Sequence, residues 1–493
     1  MNYLRAITLA LGGYYFGYYI GITNPMADPL TTYYNIDKDS ITGFKGNINS
    51  FFSLGAMVSV FLVGPLSNII GRVRVLILAE VIGIITSYLY TIKSVPLLLT
   101  LRAVGGVITG INSGVGPVAL SEMFPGPITG FGGLFLYFSI TSFILLGWIS
   151  APICGNSQAC LVKNVKIIFA WPGAVGILRL ILLMVLFKFG ALESPGFYLN
   201  KIKPGKTPPQ EVASKTESIK GWYATVYAEQ DVDQVVAKTL EEHEEASSKV
   251  QPGFVTMFSA NYRFRLITAV LMNIFQQLSG VNFLIFYSTQ LFNTISGNGP
   301  FMSLVIAGAN ICGAIVGLFT IERLGRRFNM MYGALLQCIC FILLIVGSKL
   351  VDTNKTISSI ISTASVCFYM IGFAVGLGGT MPIFCAEIIP AVGVGIAASM
   401  QWLTGAGIGQ LVPIFLKQFG PDALIGFFAA CLVVTFFFSN FACVETKGMD
   451  EQDVELVYKG GVSKDGRKHQ FSWIKFKGTI AQEASGDDFA KAY

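Results

Sequence analysis

The chain has 493 residues, of which 53% are hydrophobic and 13% are charged, and its formal net charge at pH 7 is +6. A soluble domain carries about 25% charged residues, so this composition excludes an ordinary water-soluble protein. The basic residues form no stripe interleaved with aromatic side chains, so we expect no nucleic-acid partner.

The apolar residues form about twelve runs, each close to the ~20 residues that an α-helix needs to span a membrane. The runs lie near residues 5–27, 47–70, 74–92, 96–121, 130–152, 167–189, 266–291, 300–321, 328–350, 358–386, 393–417 and 421–442. Because the runs are continuous and do not alternate, they predict helices and not a membrane barrel. The predicted fold class is therefore all-α and polytopic.

The first run begins almost at Met1 and contains GGYYFGYYIG, which is too long and too rich in tyrosine for a cleaved signal peptide. We therefore predict a retained helix. Basic residues in short loops favour the cytoplasmic side of a membrane. They cluster after the second and eighth runs, at Arg72, Arg74, Arg323, Arg326 and Arg327. Both termini are therefore expected on the cytoplasmic side of a multi-pass protein.

Two possible modifications fall in loops predicted on the other side. Cys154 and Cys160 would form a local disulfide there if that side is oxidising. The triplet NKT at 354–356 matches a glycosylation acceptor, a pattern that also arises by chance. The other cysteines fall in or beside apolar runs, where cysteine acts as a small hydrophobic residue.

The chain contains an internal repeat. GRVR at 71–74 corresponds to GRRF at 325–328, and PVALSEMFP at 117–125 corresponds to PIFCAEIIP at 382–390. A duplicated six-helix unit is typical of transporters whose halves rock about a central site. The predicted domains are a transmembrane half at 1–189, a cytoplasmic linker with amphipathic helices at 190–265, a second transmembrane half at 266–442 and a cytoplasmic tail at 443–493.

Four segments make the chain resemble the sugar porters of the major facilitator superfamily, the facilitated hexose carriers. They are FGYYIGITNP (16–25), QQLSGVNFLIFYS (276–288), AGANICGAIVGLFTIERLGRR (307–327) and VETKG (444–448). The resemblance covers about residues 1–455. It implies twelve helices in two six-helix halves, a monosaccharide substrate, membrane lipid as surroundings, and no enzymatic activity, cofactor or metal. It implies the plasma membrane as location, with an organellar membrane such as the mitochondrial inner membrane as the alternative.

In the resembling family, amides at four positions contact a hexose, namely Gln276, Gln277, Asn282 and Asn310. Neutral amides offer donors and acceptors to sugar hydroxyls without a charge to desolvate. On an unbroken helix Asn282 would point about 140° away from Gln277, so it joins the glutamines only if the helix breaks near Gly280. Interhelical hydrogen bonding is the alternative role for these amides. The full predicted substrate-binding set is Gln276, Gln277, Asn282, Tyr287, Asn310, Gln401 and Trp402.

The chain departs from the family at several pocket positions. Tyr137 stands where the family usually has glutamine, Ala374 where it has an acidic residue, and Pro382 where it has the pocket tryptophan. The family often has asparagine at the place of Gln401.

Proton symporters of the family carry an aspartate where this chain has Tyr19. No acidic residue lies between Arg5 and Asp28, which predicts a uniporter. Coupling through another group such as Glu80 is the alternative. Glu80 and Arg179 lie deep in apolar runs, so they are expected to avoid lipid and to pair with each other or with the backbone.

The resemblance also implies a salt-bridge latch at the cytoplasmic helix ends. Its predicted members are Arg72, Arg102, Glu122, Glu322, Arg323, Arg326, Arg327 and Glu387. Four positions that usually hold arginine are instead Val73, Thr129, Gly196 and Gly393. We therefore expect a weakened latch, and charge bias with solvated helix ends is the alternative explanation.

Two functions from different classes remain open. The first is facilitative (uniport) transport of a monosaccharide, with a hexose as the expected substrate. The second is a transport-inactive sensor or structural subunit of a larger membrane complex. The tail favours the second, because it groups Phe471, Trp473 and Phe476 and could bind other membrane subunits. His243 and His469 lie far apart in polar segments, so neither predicts a metal or catalytic site.

Overall fold

A computed structural model describes residues 1–467 apart from 125, 155–156, 189–191, 203–206, 227–230, 249–252, 296–298, 450 and 465. Within these residues, the side chains at 126–134, 151–152, 242, 245–248, 318, 322 and 451 are not described. The tail cluster at 471–476 and His469 lie outside the described residues.

The described chain is helical and forms twelve spans. The first half contains span 1 (Asn2–Ala10, Gly13–Gly21 and Thr23–Tyr33), span 2 (Ile41–Ile70), span 3 (Arg72–Leu89), span 4 (Val95–Met123), span 5 (Gly126–Ile153) and span 6 (Gln158–Leu186). The second half contains span 7 (Arg263–Leu278 and Val281–Ile295), span 8 (Gly299–Leu324), span 9 (Arg326–Lys349), span 10 (Lys355–Phe373, Ala374–Gly378 and Thr380–Ile388), and spans 11 and 12 within Ala391–Ala442. Gly420 divides the last two spans, with φ of 80°.

Eight helical segments of the described chain are long and apolar enough to cross a membrane, and one of them contains both spans 11 and 12. Three more spans complete the set. Span 1 is divided into short helices, span 3 carries three charged residues, and span 5 contains the apolar stretch Phe135–Ser150. The predicted twelve-helix all-α architecture is confirmed.

Short helices separate and follow the halves. The linker contains Pro195–Leu199, Pro209–Tyr223 and Val232–Ser248, and the tail begins with Glu451–Tyr458. The linker packs on the first half, since Trp222 is buried there and its Nε1 donates to Met123 O at 2.8 Å. We call the end of the bundle with Gly71, Gly325 and the linker the linker end, and the other the opposite end.

Candidate functional site

Span 7 is broken where the sequence predicted a break. One helix ends at Leu278, the next begins at Val281, and Gly280 between them has φ of 89°. A Cβ on Gly280 would lie 2.8 Å from the Phe428 ring, so both the backbone conformation and the packing require glycine. The break lets polar side chains of the two half-helices turn toward each other.

The break brings Asn282 to Gln277 and leaves Gln276 facing span 10. Asn282 Nδ2 donates to Gln277 Oε1. Gln276 Nε2 donates to Leu377 O at 2.8 Å, in the π-helical turn of span 10. Adjacent residues on a helix point about 100° apart, which explains why the two glutamines meet different partners.

Two amide oxygens of the predicted set have no hydrogen-bond partner among the described residues. They are Gln276 Oε1 and Asn310 Oδ1, and both residues are buried. An unsatisfied buried polar atom costs about 1–3 kcal/mol. Such atoms persist where a bound ligand or water supplies the missing donor.

Aromatic rings from both halves lie beside these amides. A Cβ on Gly405 of span 11 would lie 3.4 Å from Gln277 Oε1, which places this part of span 11 against the span 7 break. Trp402, about one turn earlier, contacts the rings of Phe16 and Phe52 at centroid distances of 5.4 and 6.4 Å. The predicted Trp402 thus joins the amides to an apolar wall from the first half.

The structure does not bring every predicted residue together. Tyr287 lies on the second half-helix of span 7, where it lines a small cavity with Asn49 and Lys45 toward the opposite end. Gln401 is half-buried and makes none of the hydrogen bonds found among the described residues. Gln276, Gln277 and Asn282 at the span 7 break, with Trp402 on the neighbouring span 11, therefore form the centre of the candidate site. Asn310 is buried on span 8, and none of the described hydrogen bonds joins it to them.

Tyr137 lies beside the same centre. A Cβ on Gly378 would lie 3.0 Å from the Tyr137 hydroxyl, and the neighbouring Leu377 carbonyl accepts from Gln276. The family's glutamine position is thus occupied by a phenol that faces span 10.

Arg102 does not belong to the predicted latch, and this expectation is wrong. Span 4 carries Arg102 near its first turns and Glu122 near its last, so about 20 residues, or ~30 Å of helix, separate them. Arg102 donates from Nη1 to Tyr19 O at 2.9 Å and from Nε to Ile48 O at 3.0 Å. It supports the end of the second helix of span 1.

Arg179 supports the other break of span 1. Its Nε donates to Thr8 O at 3.0 Å, and its Nη1 pairs with Glu80, which also accepts from the Tyr14 hydroxyl. The predicted pair of Glu80 and Arg179 is present and fully buried. A buried charge without a partner is costly, and in this pair each charge has an opposite charge beside it inside the bundle.

At the linker end, the first half holds a cluster around Arg72. Its guanidinium binds Glu122 through Nε at 3.0 Å and Nη2 at 2.9 Å, and Ser194 Oγ donates to the same carboxylate at 2.6 Å. Glu193 accepts from the backbone N–H groups of Val73 and Arg74. Burial raises the pKa of the Glu193 carboxyl above its ordinary value, and these N–H donors partly offset the rise.

The second half repeats this cluster. Arg326 Nη2 lies 2.9 Å from Glu387, which also accepts from the Thr446 hydroxyl. Glu445 accepts from the backbone N–H groups of Arg326 and Arg327 at 2.9 and 3.0 Å. In each half, a carboxylate thus caps the helix that follows the GR loop, at its positive end.

The capping residues are not among the predicted site residues, although the sequence contains a signal for them. The dipeptides Glu193–Ser194 and Glu445–Thr446 follow the sixth span of each half and are themselves a repeat. A glutamate followed by a hydroxyl residue supplies both a helix cap and a hydrogen bond to the neighbouring carboxylate.

The remaining latch residues have other partners. Arg327 Nη2 donates to the backbone and side-chain oxygens of Asn440, both at 2.7 Å. The Arg323 carbonyl accepts from Lys447 Nζ at 3.2 Å. The side chain of Glu322 lies outside the described part.

Two of the lost-arginine positions are closely packed. A Cβ on Gly196 would lie 2.2 Å from the Glu122 carboxyl carbon, and one on Gly393 would lie 3.1 Å from Met257 Sδ. Val73 is buried, and the side chain of Thr129 is not described. Glu122 therefore occupies space that a side chain at position 196 would need.

At the opposite end, polar contacts cross between the halves. Asn24 Nδ2 donates to Ser288 Oγ at 2.7 Å, and Asn24 Oδ1 accepts from Thr289 N at 3.2 Å. Asp28 pairs with Lys45 and accepts from Gln290 Nε2 at 3.3 Å. These contacts close the opposite end over the candidate site.

The two loop modifications have different outcomes. Cys154 and Cys160 form a disulfide, which the sequence had left open. The Asn354 side chain accepts from the N–H groups of Thr356 and Ile357, so it caps span 10. Glycosylation of Asn354 stays a prediction.

Three comparisons with known proteins agree with this architecture. The family described as "Sugar (and other) transporter" matches residues 5–458. Facilitated glucose transporter member 3 of solute carrier family 2 from Mus musculus is 26% identical over 483 residues, covering 92% of each chain. Plastidic glucose transporter 4 of Arabidopsis thaliana is 26% identical over 462 residues, covering 92% of this chain and 79% of that protein.

The solved structures agree on the fold. The inward-open conformation of the xylose transporter XylE from E. coli matches with a TM-score of 0.74 at 20% identity, covering 92% of this chain and 99% of that one. The family model spans nearly the whole chain, and its members are transporters and not enzymes. The protein is therefore a multi-pass integral membrane protein that belongs to the sugar transporter family.

Proposed function

We propose that the protein is a facilitative uniporter that moves a monosaccharide, a hexose, across its membrane by alternating access. The observation that carries the proposal is the pair of buried acceptors without partners, Gln276 Oε1 and Asn310 Oδ1. Sugar hydroxyls are donors, and a hexose offers several of them on a compact ring. Both relatives compared above are glucose transporters by name.

The rest of the site suits a neutral ring with one apolar face. Trp402, with Phe16 and Phe52 beside it, offers aromatic surface, and the amides offer hydrogen bonds without a formal charge. Neutral amides release a substrate more easily than charged side chains would, because no buried charge is left without a partner when the substrate leaves.

Uniport is supported by the arrangement of charge in the first half. Tyr19 stands where proton symporters of the family carry aspartate, and its carbonyl accepts from Arg102. Glu80 is held by Arg179 and Tyr14. The Glu80 carboxylate therefore serves as a structural contact that joins spans 1, 3 and 6.

The proposed location is the plasma membrane, with both termini and the linker on the cytoplasmic side. The basic residues of the two GR loops at the linker end support this orientation. The disulfide at the opposite end supports an oxidising compartment on that side.

Uptake into liposomes tests the proposal. Purified protein should take up labelled D-glucose or D-fructose in preference to L-glucose, with saturation. Gln276→Ala removes a substrate contact worth about 0.5–1.5 kcal/mol, so the half-saturating concentration should rise up to about tenfold.

Asn273→Ala is the matched control, because Asn273 is a buried amide about one turn earlier that donates to Ala269 O of its own helix and to Cys385 Sγ of span 10. Like Gln276→Ala, this variant thus loses a contact with span 10. Its uptake should resemble wild type. If folded wild-type protein takes up none of a panel of hexoses, pentoses and polyols, the transport-inactive subunit becomes the better explanation.

A second experiment tests uniport. An imposed pH gradient should neither accelerate D-glucose uptake nor concentrate the sugar inside the liposomes. Accumulation above the external concentration would show proton coupling, and Glu80→Gln would then identify whether Glu80 carries the proton.

A further inference from the structure

An apolar groove lies on the flank of span 12 near the linker end. Its walls are Phe264, at the start of span 7, and the side chains of span 12 between Val433 and Ala442. The groove encloses about 420 Å³. Val434, Phe437 and Phe441 remain 43–52% exposed, as side chains that face the hydrocarbon of a membrane do.

The length of the groove matches one leaflet of a bilayer. From Val433 to Ala442 the helix rises about 1.5 Å per residue, or ~14 Å in all. The hydrocarbon core of a membrane is about 30 Å thick, so one leaflet contributes about half of that. A single acyl chain running from the linker end toward the middle of the membrane would therefore fill the groove.

Positive charge lies at the mouth of the groove. Arg263 and Arg265 flank Phe264 in the sequence, and Arg263 is exposed. Arg265 is only 2% exposed, and its Nε and Nη2 have no hydrogen-bond partner among the described residues. Its guanidinium lies 4.5 Å from the centre of the Tyr262 ring. The charge of Arg265 interacts with that of Glu455 on the tail helix, but no ion pair joins the two among the described residues. Buried guanidinium donors without acceptors are costly, and an anion beside them would supply the acceptor.

The tail helix closes the other side of the mouth. The Tyr458 ring contacts Phe264 at a centroid distance of 5.9 Å, and Lys459 follows it. Glu455, on the same helix, pairs with Lys459 Nζ at 2.6 Å. The hydrogen bond from Lys459 lowers the pKa of Glu455, so this carboxylate stays charged and occupied by the lysine.

We propose that this groove is a binding site for an anionic phospholipid, whose acyl chain lies along span 12 and whose phosphate is bound by Arg263 and Arg265. The apolar walls select a hydrocarbon chain, and the arginines select a negative headgroup. A bound lipid would join span 7, span 12 and the tail helix, all of which belong to the second half. The proposal is independent of the substrate that the protein transports.

The test is the thermal unfolding of the full-length protein in detergent, with added dioleoyl phosphatidylglycerol or dioleoyl phosphatidylcholine. A ligand that binds only the folded state raises the unfolding midpoint. Phosphatidylglycerol should raise it by about 3 °C or more beyond phosphatidylcholine, which corresponds to about 1–2 kcal/mol for a large protein.

Two kinds of variant separate the parts of the site. Arg263→Gln removes charge at the exposed arginine, and Val434→Trp fills the groove while both arginines remain. Each should abolish the preference for phosphatidylglycerol. Ile339→Trp, on the exposed face of span 9, adds the same bulk elsewhere and should keep the preference.

Three results would overturn the proposal. The two lipids could stabilise wild type equally, the preference could survive in both Arg263→Gln and Val434→Trp, or inorganic phosphate alone could reproduce the shift. The last result would indicate an anion site without a lipid. None of these depends on transport, so they are distinguishable from a failure of sugar uptake.

Discussion

The two ends of the helix bundle hold their polar residues in different ways. At the linker end, the ion pairs of Arg72 with Glu122 and of Arg326 with Glu387 lie within one half each. At the opposite end, Asn24 and Asp28 of the first half bind Ser288, Thr289 and Gln290 of the second half. The ion pairs of Arg72 and Arg326 therefore strengthen each half, whereas the bonds of Asn24 and Asp28 to span 7 join the halves. The opposite end also holds contacts within one half, such as those of Asp422 with Ser348 and Lys349.

This difference explains what the lost arginines change. Arginines at positions 196 and 393 would extend from one loop toward neighbouring carboxylates, but here both positions are glycines in crowded surroundings. Glu122 binds Arg72 and Ser194 of its own half, and Glu387 binds Arg326 and Thr446 of its own half. We therefore expect the halves to separate more easily at the linker end than at the opposite end.

The largest expected effect comes from breaking a cluster within one half. Arg72→Gln leaves Glu122 without its cation. Removing one partner of a buried ion pair costs about 3–5 kcal/mol, and because the Glu122 side chain is 21% exposed we expect a cost near the lower end, about 3 kcal/mol. The unfolding midpoint in detergent should fall by several degrees. Arg74→Gln is the control, since Arg74 is half-exposed and 4.0 Å from Glu193, and it should cost under about 1 kcal/mol.

Equal losses in both variants would show that the Arg72 cluster is no stronger than a surface ion pair. The contacts within each half at the linker end would then not be what stabilises that half.

The two GR loops allow a second, smaller test of the same comparison. Gly71 and Gly325 have φ of 118° and 88°, and a Cβ would lie 2.4 and 2.5 Å from the capping carboxylates of Glu193 and Glu445. Replacing either glycine by alanine should cost about 1–3 kcal/mol. Gly64→Ala, in open space within span 2, should not destabilise the protein.

Unfolding in detergent measures these costs. Because the loops are related by the internal repeat, similar losses at Gly71 and Gly325 are expected. A loss of stability in only one of the two variants would show that the two clusters contribute unequally to the free energy of unfolding, although their hydrogen bonds match.

Much of the architecture could be predicted from the sequence, because it depends on properties that repeat along the chain. Continuous apolar runs predicted the spans, and the duplicated GR and Glu motifs predicted two halves. The break at Gly280 could also be predicted, because Asn282 reaches Gln277 only across a kink and glycine permits one. Local patterns sufficed for these features.

Other features depend on contacts that no local pattern contains. The prediction that Arg102 belongs to the latch is wrong because charge alone does not show at which end of a 29-residue helix the partner of a side chain lies. Arg179 of span 6 and Arg102 of span 4 bind carbonyls of span 1 beside its two breaks. Gln276 and Gln277 likewise have different hydrogen-bond partners because span 10 lies beside Gln276. The sequence contains all of these residues, but it does not show which of them contact each other.

The smallest expected effect concerns the opposite end, where the halves meet. Asn24→Ala removes two hydrogen bonds to the second half, which together are worth about 1–2 kcal/mol. Because these bonds exist only when the opposite end is closed, their loss should favour opening there by about 1–2 kcal/mol. That change corresponds to an increase of roughly 5–30-fold in the open-to-closed ratio. Global stability should change less, since neither half loses an internal contact.

Labelling of a cysteine introduced at Ala27, which lines the small cavity below these bonds, measures the opening. The introduced thiol should react faster with a membrane-impermeant reagent in the Asn24→Ala background than in wild type. Ser53→Ala is the control, because among the described residues the Ser53 hydroxyl bonds to Asn49 O alone, within span 2. If labelling rises equally in both backgrounds, the bonds of Asn24 do not hold the halves together. Closure must then come from other contacts between the halves, such as Gln290 with Asp28 and Ser50 with Ala406 O.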